Sequence, residues 1–139
     1  MIFESYSEEE TAEFARSLAA KSQKGDIYAL TGDLGVGKTA FTKGFAEGLG
    51  IREPVVSPTF TFVQMYDEGT MPLYHFDVYR IGDISEMDEI GYEDCFYGDG
   101  VSIMEWADLV EELIPDSAYR VTISKDLSKG ASYRKIEII

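Results

Sequence analysis

The segment from Gly32 to Thr39 has the spacing of a phosphate-binding loop. Its sequence, Gly-Asp-Leu-Gly-Val-Gly-Lys-Thr, fits the pattern Gly-x-x-x-x-Gly-Lys-Ser/Thr in full. The glycines let backbone N–H groups approach phosphate oxygens, and Lys38 places a positive charge on the β- and γ-phosphates. The Thr39 hydroxyl is the expected ligand of Mg²⁺. We therefore predict a nucleotide site that includes Gly32, Gly37, Lys38 and Thr39.

The elements on both sides of this loop support the prediction. Ile27 to Thr31 is a short apolar run bounded by Gly-Asp pairs, which is typical of a buried strand. Lys38 to Gly48 predicts a helix with Phe41 and Phe45 on one face. The N-terminal dipole of such a helix favours an anion at that end. Strand, loop and helix follow one another as a phosphate site requires.

The nucleotide base is predicted to be adenine. GTPases that use this loop usually carry an Asn-Lys-x-Asp segment that recognises guanine, and this chain contains no asparagine. We therefore expect ATP, together with Mg²⁺, at the site.

Hydrolysis requires a carboxylate near Mg²⁺ at the carboxyl end of a core strand. Two acids have that position: Glu105 follows the apolar run Val101 to Met104, and Asp77 follows Leu73 to Phe76. The alternative for each is a solvent-exposed acid at a strand end, which is common in a chain this acidic. Position alone favours a functional role for Glu105 and leaves Asp77 open between the two interpretations; with Lys38 they are the candidate catalytic residues.

Three further features near these positions have two interpretations each. His75 shares a strand face with Asp77, although a single histidine in a strand is more often structural. Trp106 could stack on a base or pack in the core. The loop from Val56 to Thr61 lies where related ATPases and GTPases place a switch that senses the γ-phosphate, or else it is only a connection into a strand.

The rest of the chain alternates strands with helices. A Ser-Glu-Glu-Glu capping box at Ser7 predicts a helix that ends before Gly25. The pattern further predicts a strand at residues 2–6, a hairpin of residues 59–66 and 73–79, weak helical character at 85–96, a strand at 101–104, a helix at 106–113, and strands at 119–124 and 133–138. We expect a single α/β domain over residues 1–139, with a mixed β-sheet flanked by helices as in P-loop NTPases.

Composition and charge restrict the partners and the setting. Lys and Arg total 12 and Asp and Glu total 26, a net charge of −14, which disfavours autonomous binding to a nucleic-acid backbone. The apolar runs are too short for a membrane helix, and the first residues have neither the basic nor the apolar segment of a signal peptide. A lone Cys95 cannot form an internal disulfide. We expect a cytoplasmic protein without membrane attachment.

Four segments taken together resemble one known family. Gly-Asp-Leu-Gly-Val-Gly-Lys-Thr, Ser-Pro-Thr-Phe-Thr, Tyr-His-Phe-Asp-Val-Tyr-Arg and Met-Glu-Trp, in that order and spacing, are similar to those of the TsaE (YjeE) family of small bacterial P-loop ATPases. The resemblance extends over nearly the whole chain. It implies a nucleotide site at Gly35, Val36, Gly37, Lys38, Thr39 and Ala40. It also implies Mg²⁺ ligation by Thr39 and Glu105, and a functional acid at Asp77.

The resemblance also implies a function. The family provides the ATPase subunit for making N6-threonylcarbamoyladenosine in tRNA, next to the anticodon, and it works with the TsaB–TsaD pair. Contact with tRNA is then expected only through these partners. A small-molecule P-loop kinase and a nucleotide-binding switch without turnover are the alternatives. The arginine that assists hydrolysis, if one does, could be Arg80, Arg134 or a residue of a partner.

Overall fold

A computed structural model describes residues 1–32, 37–58 and 60–139. The described residues form a sheet of seven strands in the order β1-β7-β6-β2-β5-β4-β3. The strands are Ile2–Ser5 (β1), Ile27–Thr31 (β2), Val63–Tyr66 (β3), Leu73–Asp77 (β4), Val101–Glu105 (β5), Tyr119–Lys125 (β6) and Arg134–Ile138 (β7).

The middle of the sheet is parallel and its two edges are antiparallel. Strands β6, β2, β5 and β4 run in the same direction, whereas β3, β7 and β1 pair antiparallel with their neighbours. The parallel strands therefore end at one edge of the sheet. The register places Glu105 beside Leu30 on one side and beside Asp77 on the other. The predicted mixed α/β sheet is confirmed.

Helices cover both faces of this sheet. Helices α1 (Glu8–Lys21) and α2 (Lys38–Gly48) pack on one face. Helices α3 (Glu86–Glu89) and α4 (Tyr92–Phe96) and a 3₁₀ segment at Ala107–Leu113 pack on the other. A second 3₁₀ turn lies at Leu127–Lys129. Because successive strand residues point to opposite faces, Tyr28 and Leu30 join the core under α1 and α2, and Ile27 and Ala29 join the other core. This alternation explains why β2 is apolar and buried from Ile27 to Leu30.

The start of α1 has the predicted capping box. The Ser7 side chain accepts a hydrogen bond from the Glu10 N–H at 3.1 Å. Glu10 Oε1 in turn accepts from the Tyr6 N–H at 2.9 Å. The first bond satisfies a backbone donor that a helix start would otherwise leave unpaired, and the second pairs the N–H of the residue before the cap rather than that of Ser7 itself.

The hairpin β3–β4 is shorter than predicted. Residues 60–62 form a turn rather than a strand, because Phe62 has a left-handed backbone (φ 67°) and its N–H donates to the Pro58 carbonyl at 2.8 Å. The Phe62 carbonyl then accepts from the Asp77 N–H at 2.9 Å, which ties the turn to the end of β4. Strand β4 ends at Asp77 because the chain turns after Val78, where the Ile81 N–H donates to the Val78 carbonyl.

Two predicted helices also differ in detail. Residues 85–96 divide into α3 and α4, which are separated by turn residues Ile90 and Gly91. The segment Ala107–Leu113 is 3₁₀ rather than α-helical and is kinked at Val110 (φ −130°). Trp106, which immediately precedes it, is left-handed (φ 64°), so the chain does not enter this segment in helical conformation.

Among the helices of the described residues, none is long and apolar enough to cross a membrane.

Candidate functional site

The predicted phosphate loop joins the carboxyl end of β2 to the first turn of α2. Gly37, the residue before the helix, has φ 106°, a conformation that only glycine adopts without strain. Helix α2 then begins at Lys38, so its N-terminal N–H groups lie at the edge where the parallel strands end. Gly35 and Val36, which the sequence assigns to nucleotide binding, lie outside the described residues.

Lys38 is buried although it is charged. Its side chain is 5% exposed, and Nζ donates to the Gly32 carbonyl at 2.5 Å. The same Nζ lies 3.7 Å from the centroid of the Trp106 ring. A carbonyl oxygen and an aromatic face both stabilise an ammonium group held out of water. The amine is therefore held at the edge of the sheet, beside the start of α2.

The two predicted acids lie side by side and both are buried. Asp77 is 8% exposed and Glu105 is 4% exposed, so the alternative of solvent-exposed acids is wrong for both. They occupy paired positions on β4 and β5. Asp77 accepts hydrogen bonds from the Ser57 hydroxyl and, at 3.0 Å, from the Tyr79 N–H. These donors hold its carboxylate in one orientation.

Glu105 has a different partner. Its Oε2 lies 2.5 Å from His75 Nε2, and His75 is 2% exposed. The sequence indicated only that His75 and Asp77 share a strand face. The contact itself depends on the register of β4 against β5, which the sequence does not reveal. His75 is thus a residue of this site whose part sequence reasoning missed.

A cavity of about 410 Å³ brings most of the predicted residues together. It is lined by Glu8, Gly37, Lys38, Thr39, Ala40, Lys43, Ser57, Asp77, Glu105 and Trp106. Glu8 and Lys43 were not predicted: Glu8 reaches the cavity through the packing of α1 beside α2, and Lys43 lies on α2 one turn after Thr39. Gly32 contributes its carbonyl to Lys38. The loop residue Ser57 contacts Asp77, whereas Thr59 lies outside the described residues.

Arg80 and Arg134, the two arginines of the chain that could assist hydrolysis, lie in different places. The guanidinium of Arg80 lies 5.3 Å from the centroid of the exposed Phe60 ring. Arg134 lies closer to the cavity: its Nε is 4.0 Å from the place that a Cβ on Gly37 would take, and it lines a small adjoining pocket with Gly37 and Ala40. Of these two, Arg134 is the one beside the phosphate loop.

Trp106 is half-buried: it packs against the core on the side of α3 and α4 and also contacts charged and aromatic neighbours. Its ring contacts Lys38 on the cavity side and the Tyr79 ring, whose centroid is 4.6 Å away. The left-handed backbone of Trp106 places a bulky residue in a conformation that costs energy, and such strain is common at functional sites.

The described residues do not form a site for a metal ion alone. Within residues 1–32, 37–58 and 60–139, no group of three or more His, Cys, Asp or Glu side chains could hold a metal ion. Mg²⁺ is typically held by one or two carboxylates, by waters and by substrate phosphates. Thr39 and Glu105 supply oxygen ligands of that kind, and both line the cavity.

Comparison with known proteins decides the family. Residues 5–136 match the family model described as "Threonylcarbamoyl adenosine biosynthesis protein TsaE". The chain belongs to the TsaE family. This TsaE chain is 50% identical over 117 residues to the tRNA threonylcarbamoyladenosine biosynthesis protein TsaE of Bacillus subtilis, covering 84% of this chain and 73% of the relative. The TsaE of Treponema pallidum is 42% identical over 120 residues, covering 86% and 87%.

A solved structure agrees with the family assignment. The crystal structure of Bacillus subtilis YdiB superposes with a TM-score of 0.83 at 41% identity, covering 98% of this chain and 82% of that one. The suspected resemblance to TsaE is thus confirmed. It places the chain among the proteins of tRNA threonylcarbamoyladenosine biosynthesis.

Proposed function

We propose that this TsaE chain binds and hydrolyses ATP with Mg²⁺, and that it does so for threonylcarbamoylation of the tRNA adenosine next to the anticodon. One observation carries the proposal. A buried lysine at the start of α2 and two buried carboxylates at the ends of adjacent parallel strands line the same cavity. Burying three ionisable side chains is costly unless they are paired or serve a ligand.

The residues divide the work of hydrolysis. Backbone N–H groups at residues 35–40 cradle the phosphates, and the Lys38 ammonium binds the β- and γ-phosphates. Thr39 and Glu105 would hold Mg²⁺, which would supply positive charge against the phosphate oxygens. Glu105 and Asp77 orient the attacking water. Asp77 also connects the site to the loop that follows α2, through the hydrogen bond from Ser57.

Partners follow from the family and from charge. The proposal includes the TsaB–TsaD pair as the protein partner and a cytoplasmic setting. A chain with a net charge of −14 is poorly suited to hold tRNA directly, since each phosphate contact needs a nearby Lys or Arg. Contact with tRNA is therefore through the partners. The loop from Ser57 to Thr61 is the proposed sensor of the γ-phosphate, because order in such loops depends on the nucleotide.

A hydrolysis assay tests the enzymatic part. ATP turnover is measured for the chain alone, with small-molecule phosphate acceptors, and with the TsaB–TsaD pair. Lys38→Ala should lose ATP binding and turnover, because it removes the charge on the phosphates. Lys24→Ala, at an exposed lysine outside the cavity, is the matched control and should behave as the wild type. Unchanged ATP affinity in Lys38→Ala contradicts the site, and transfer to an acceptor favours a kinase.

A binding assay tests the partners. Pull-down with the TsaB–TsaD pair is compared in ATP, in ADP and without nucleotide, and a gel shift with tRNA is run on the isolated chain. Docking that depends on nucleotide supports the sensor loop. Equal docking in all three states removes the sensor role from Ser57 to Thr61, and tight tRNA binding by the chain alone contradicts the charge argument.

A further inference from the structure

His75, the single histidine of the chain, contacts the proposed metal ligand Glu105. The two side chains lie on the same face of the sheet. His75 lies on β4, two residues before Asp77, and Glu105 lies at the end of β5. Asp77 and Glu105 are register partners, so the His75 side chain is diagonal to Glu105 on the face that α2 covers. The 2.5 Å distance between His75 Nε2 and Glu105 Oε2 is that of a strong hydrogen bond.

The rest of the imidazole indicates which nitrogen carries the proton. His75 Nδ1 is buried and has no hydrogen-bond partner among the described residues. A proton on Nδ1 would be buried without an acceptor, which costs free energy. A proton on Nε2 is accepted by the Glu105 carboxylate. The geometry therefore favours the neutral tautomer with the proton on Nε2, donating to Oε2.

We propose that His75 is a positioning residue for Glu105: it holds Oε2 so that Oε1 is presented to Mg²⁺ in the cavity. The inference rests on the proposed function, in which Glu105 is a metal ligand. Outer partners that orient a ligating carboxylate fix its direction before the metal arrives. A glutamate has several rotatable bonds, and restricting them in advance reduces the entropy lost on binding.

The neighbouring residues Asp77 and Ser102 distinguish this positioning role of His75 from a purely structural role in the core. The second carboxylate, Asp77, has its own donors in Ser57 and the Tyr79 N–H, so His75 acts on Glu105 alone. Ser102 is also a buried polar residue without a hydrogen-bond partner in the described part of the chain. It lies on β5 but outside the cavity lining. Ser102→Ala is therefore a matched control for removing a buried polar group from this sheet.

The first experiment measures how Mg²⁺ supports the reaction. ATP hydrolysis and binding of a fluorescent ADP analogue are titrated with Mg²⁺ for the wild type, His75→Gln, His75→Leu and Ser102→Ala. His75→Leu should raise the half-saturating Mg²⁺ concentration by roughly 10- to 100-fold, the usual range for losing an outer partner of a metal ligand. His75→Gln keeps an N–H donor at similar reach and should stay within a few-fold of the wild type. Ser102→Ala should not change it.

A purely structural histidine gives a different pattern. In that case His75→Gln and His75→Leu lower the melting temperature but leave the Mg²⁺ dependence of nucleotide binding at the wild-type value, which overturns the proposal. An equal loss of Mg²⁺ affinity in Gln and Leu variants that remain folded also overturns it, because the N–H donor is then irrelevant.

The second experiment does not depend on ATP. Because the chain has one histidine, ring ¹⁵N–¹H NMR of the whole protein reports on His75 without assignment. The proposal requires the Nε2–H tautomer in the wild type and a changed Nε2 proton shift in Glu105→Gln. An Nδ1–H tautomer, or a spectrum that Glu105→Gln leaves unchanged, overturns it. A chain that fails to hydrolyse ATP but has this NMR signature contradicts the proposed function and leaves the His75–Glu105 pairing supported.

Discussion

Gly44 lies where α2 crosses α1, and its replacement by alanine should loosen the helix pair that carries the phosphate site. A Cβ on Gly44 would lie 2.6 Å from Ala12 Cα, 2.8 Å from Ala12 C and closer still to the Ala12 carbonyl oxygen. Carbon atoms that are not bonded prefer about 3.5–4.0 Å. All three neighbours are backbone atoms of α1, so the clash cannot be relieved by a side-chain rotation. One helix must move.

The expected change in the free energy of unfolding is the difference between two opposing effects. Alanine in place of glycine favours a helix by about 1 kcal/mol, whereas forcing an extra methyl group into a packed contact costs about 1–3 kcal/mol or more. Because all three contacts are with backbone atoms at less than 3.0 Å, the cost lies at the upper end of that range, and Gly44→Ala should lose on the order of 1–2 kcal/mol net. At roughly 4 °C per kcal/mol for a chain of this size, the melting temperature should fall by roughly 4–8 °C.

The assay is thermal and urea unfolding followed by circular dichroism. Gly82→Ala is the control: it lies outside helices, and its Cβ would meet only the far end of the Glu86 side chain, at 3.9 Å. Its stability should stay within about 0.5 kcal/mol of the wild type. Since Lys38 and Thr39 begin the helix that must shift, Gly44→Ala should also weaken ATP binding. A melting temperature equal to or above that of the wild type refutes the packing argument.

Three other predictions address catalysis, base selection and pH. Glu105→Ala should lower ATP turnover on the order of 100-fold without weakening ADP binding in the absence of Mg²⁺, and Asp77→Ala should act in the same direction. Steady-state kinetics with a fluorescent-ADP titration checks both, and wild-type turnover would show that the acid is not needed. Competition binding should favour ATP over GTP, and a clear preference for GTP would contradict the adenine prediction. The pKa of Glu4 is lowered because Tyr133 and Lys129 donate hydrogen bonds to its carboxylate, at 2.6 and 3.1 Å. The folded-state pKa of Glu4 is thus below its unfolded value of about 4.3. The free energy that this carboxylate contributes to folding is therefore fully present above about pH 4.3 and is lost as the pH falls through the folded-state pKa. The stability of Glu4→Gln should therefore approach that of the wild type only as the pH falls below the lowered folded-state pKa of Glu4, and a stability difference that does not change with pH would contradict this.

The local elements of the fold were predictable because their determinants are local. Strand β2 and helix α2 have the predicted bounds, since an apolar run and a three-to-four spacing are decided within each segment. The capping box at Ser7 set the start of α1 for the same reason. The start of β3 was missed because Phe62 bonds to Pro58 and to the distant Asp77, and the aromatic residues of this turn have high strand propensity.

The residues of the candidate site could be predicted from the sequence only where they lie at the start of a core helix or at the end of a core strand. Lys38 and Glu105 have such positions, so their nearness follows from parallel strands that end at one edge. The hydrogen bond from His75 to Glu105 required the register of two strands whose contacting residues are 30 positions apart in the sequence. The presence of Glu8 in the cavity required the packing of α1 beside α2. Contacts of both kinds depend on tertiary structure, which periodicity does not encode.

The charges that line the cavity make nucleotide binding and metal binding interdependent. Three acids, Glu8, Asp77 and Glu105, face two lysines, Lys38 and Lys43, so the lining has a formal charge of −1 in a chain of −14. Such a cavity repels a triphosphate by Coulomb interaction, and burial increases that repulsion because fewer water molecules screen the charges. The backbone donors of the loop and the start of α2 offset part of it. Glu105 would hold a divalent cation, whose positive charge would offset the repulsion between the carboxylates and the phosphates. Asp77 and Glu105, the acids that would catalyse hydrolysis, therefore disfavour the binding of ATP without Mg²⁺. In our proposal His75 holds the Glu105 carboxylate in one direction, and this direction connects the binding of Mg²⁺ with the binding of ATP.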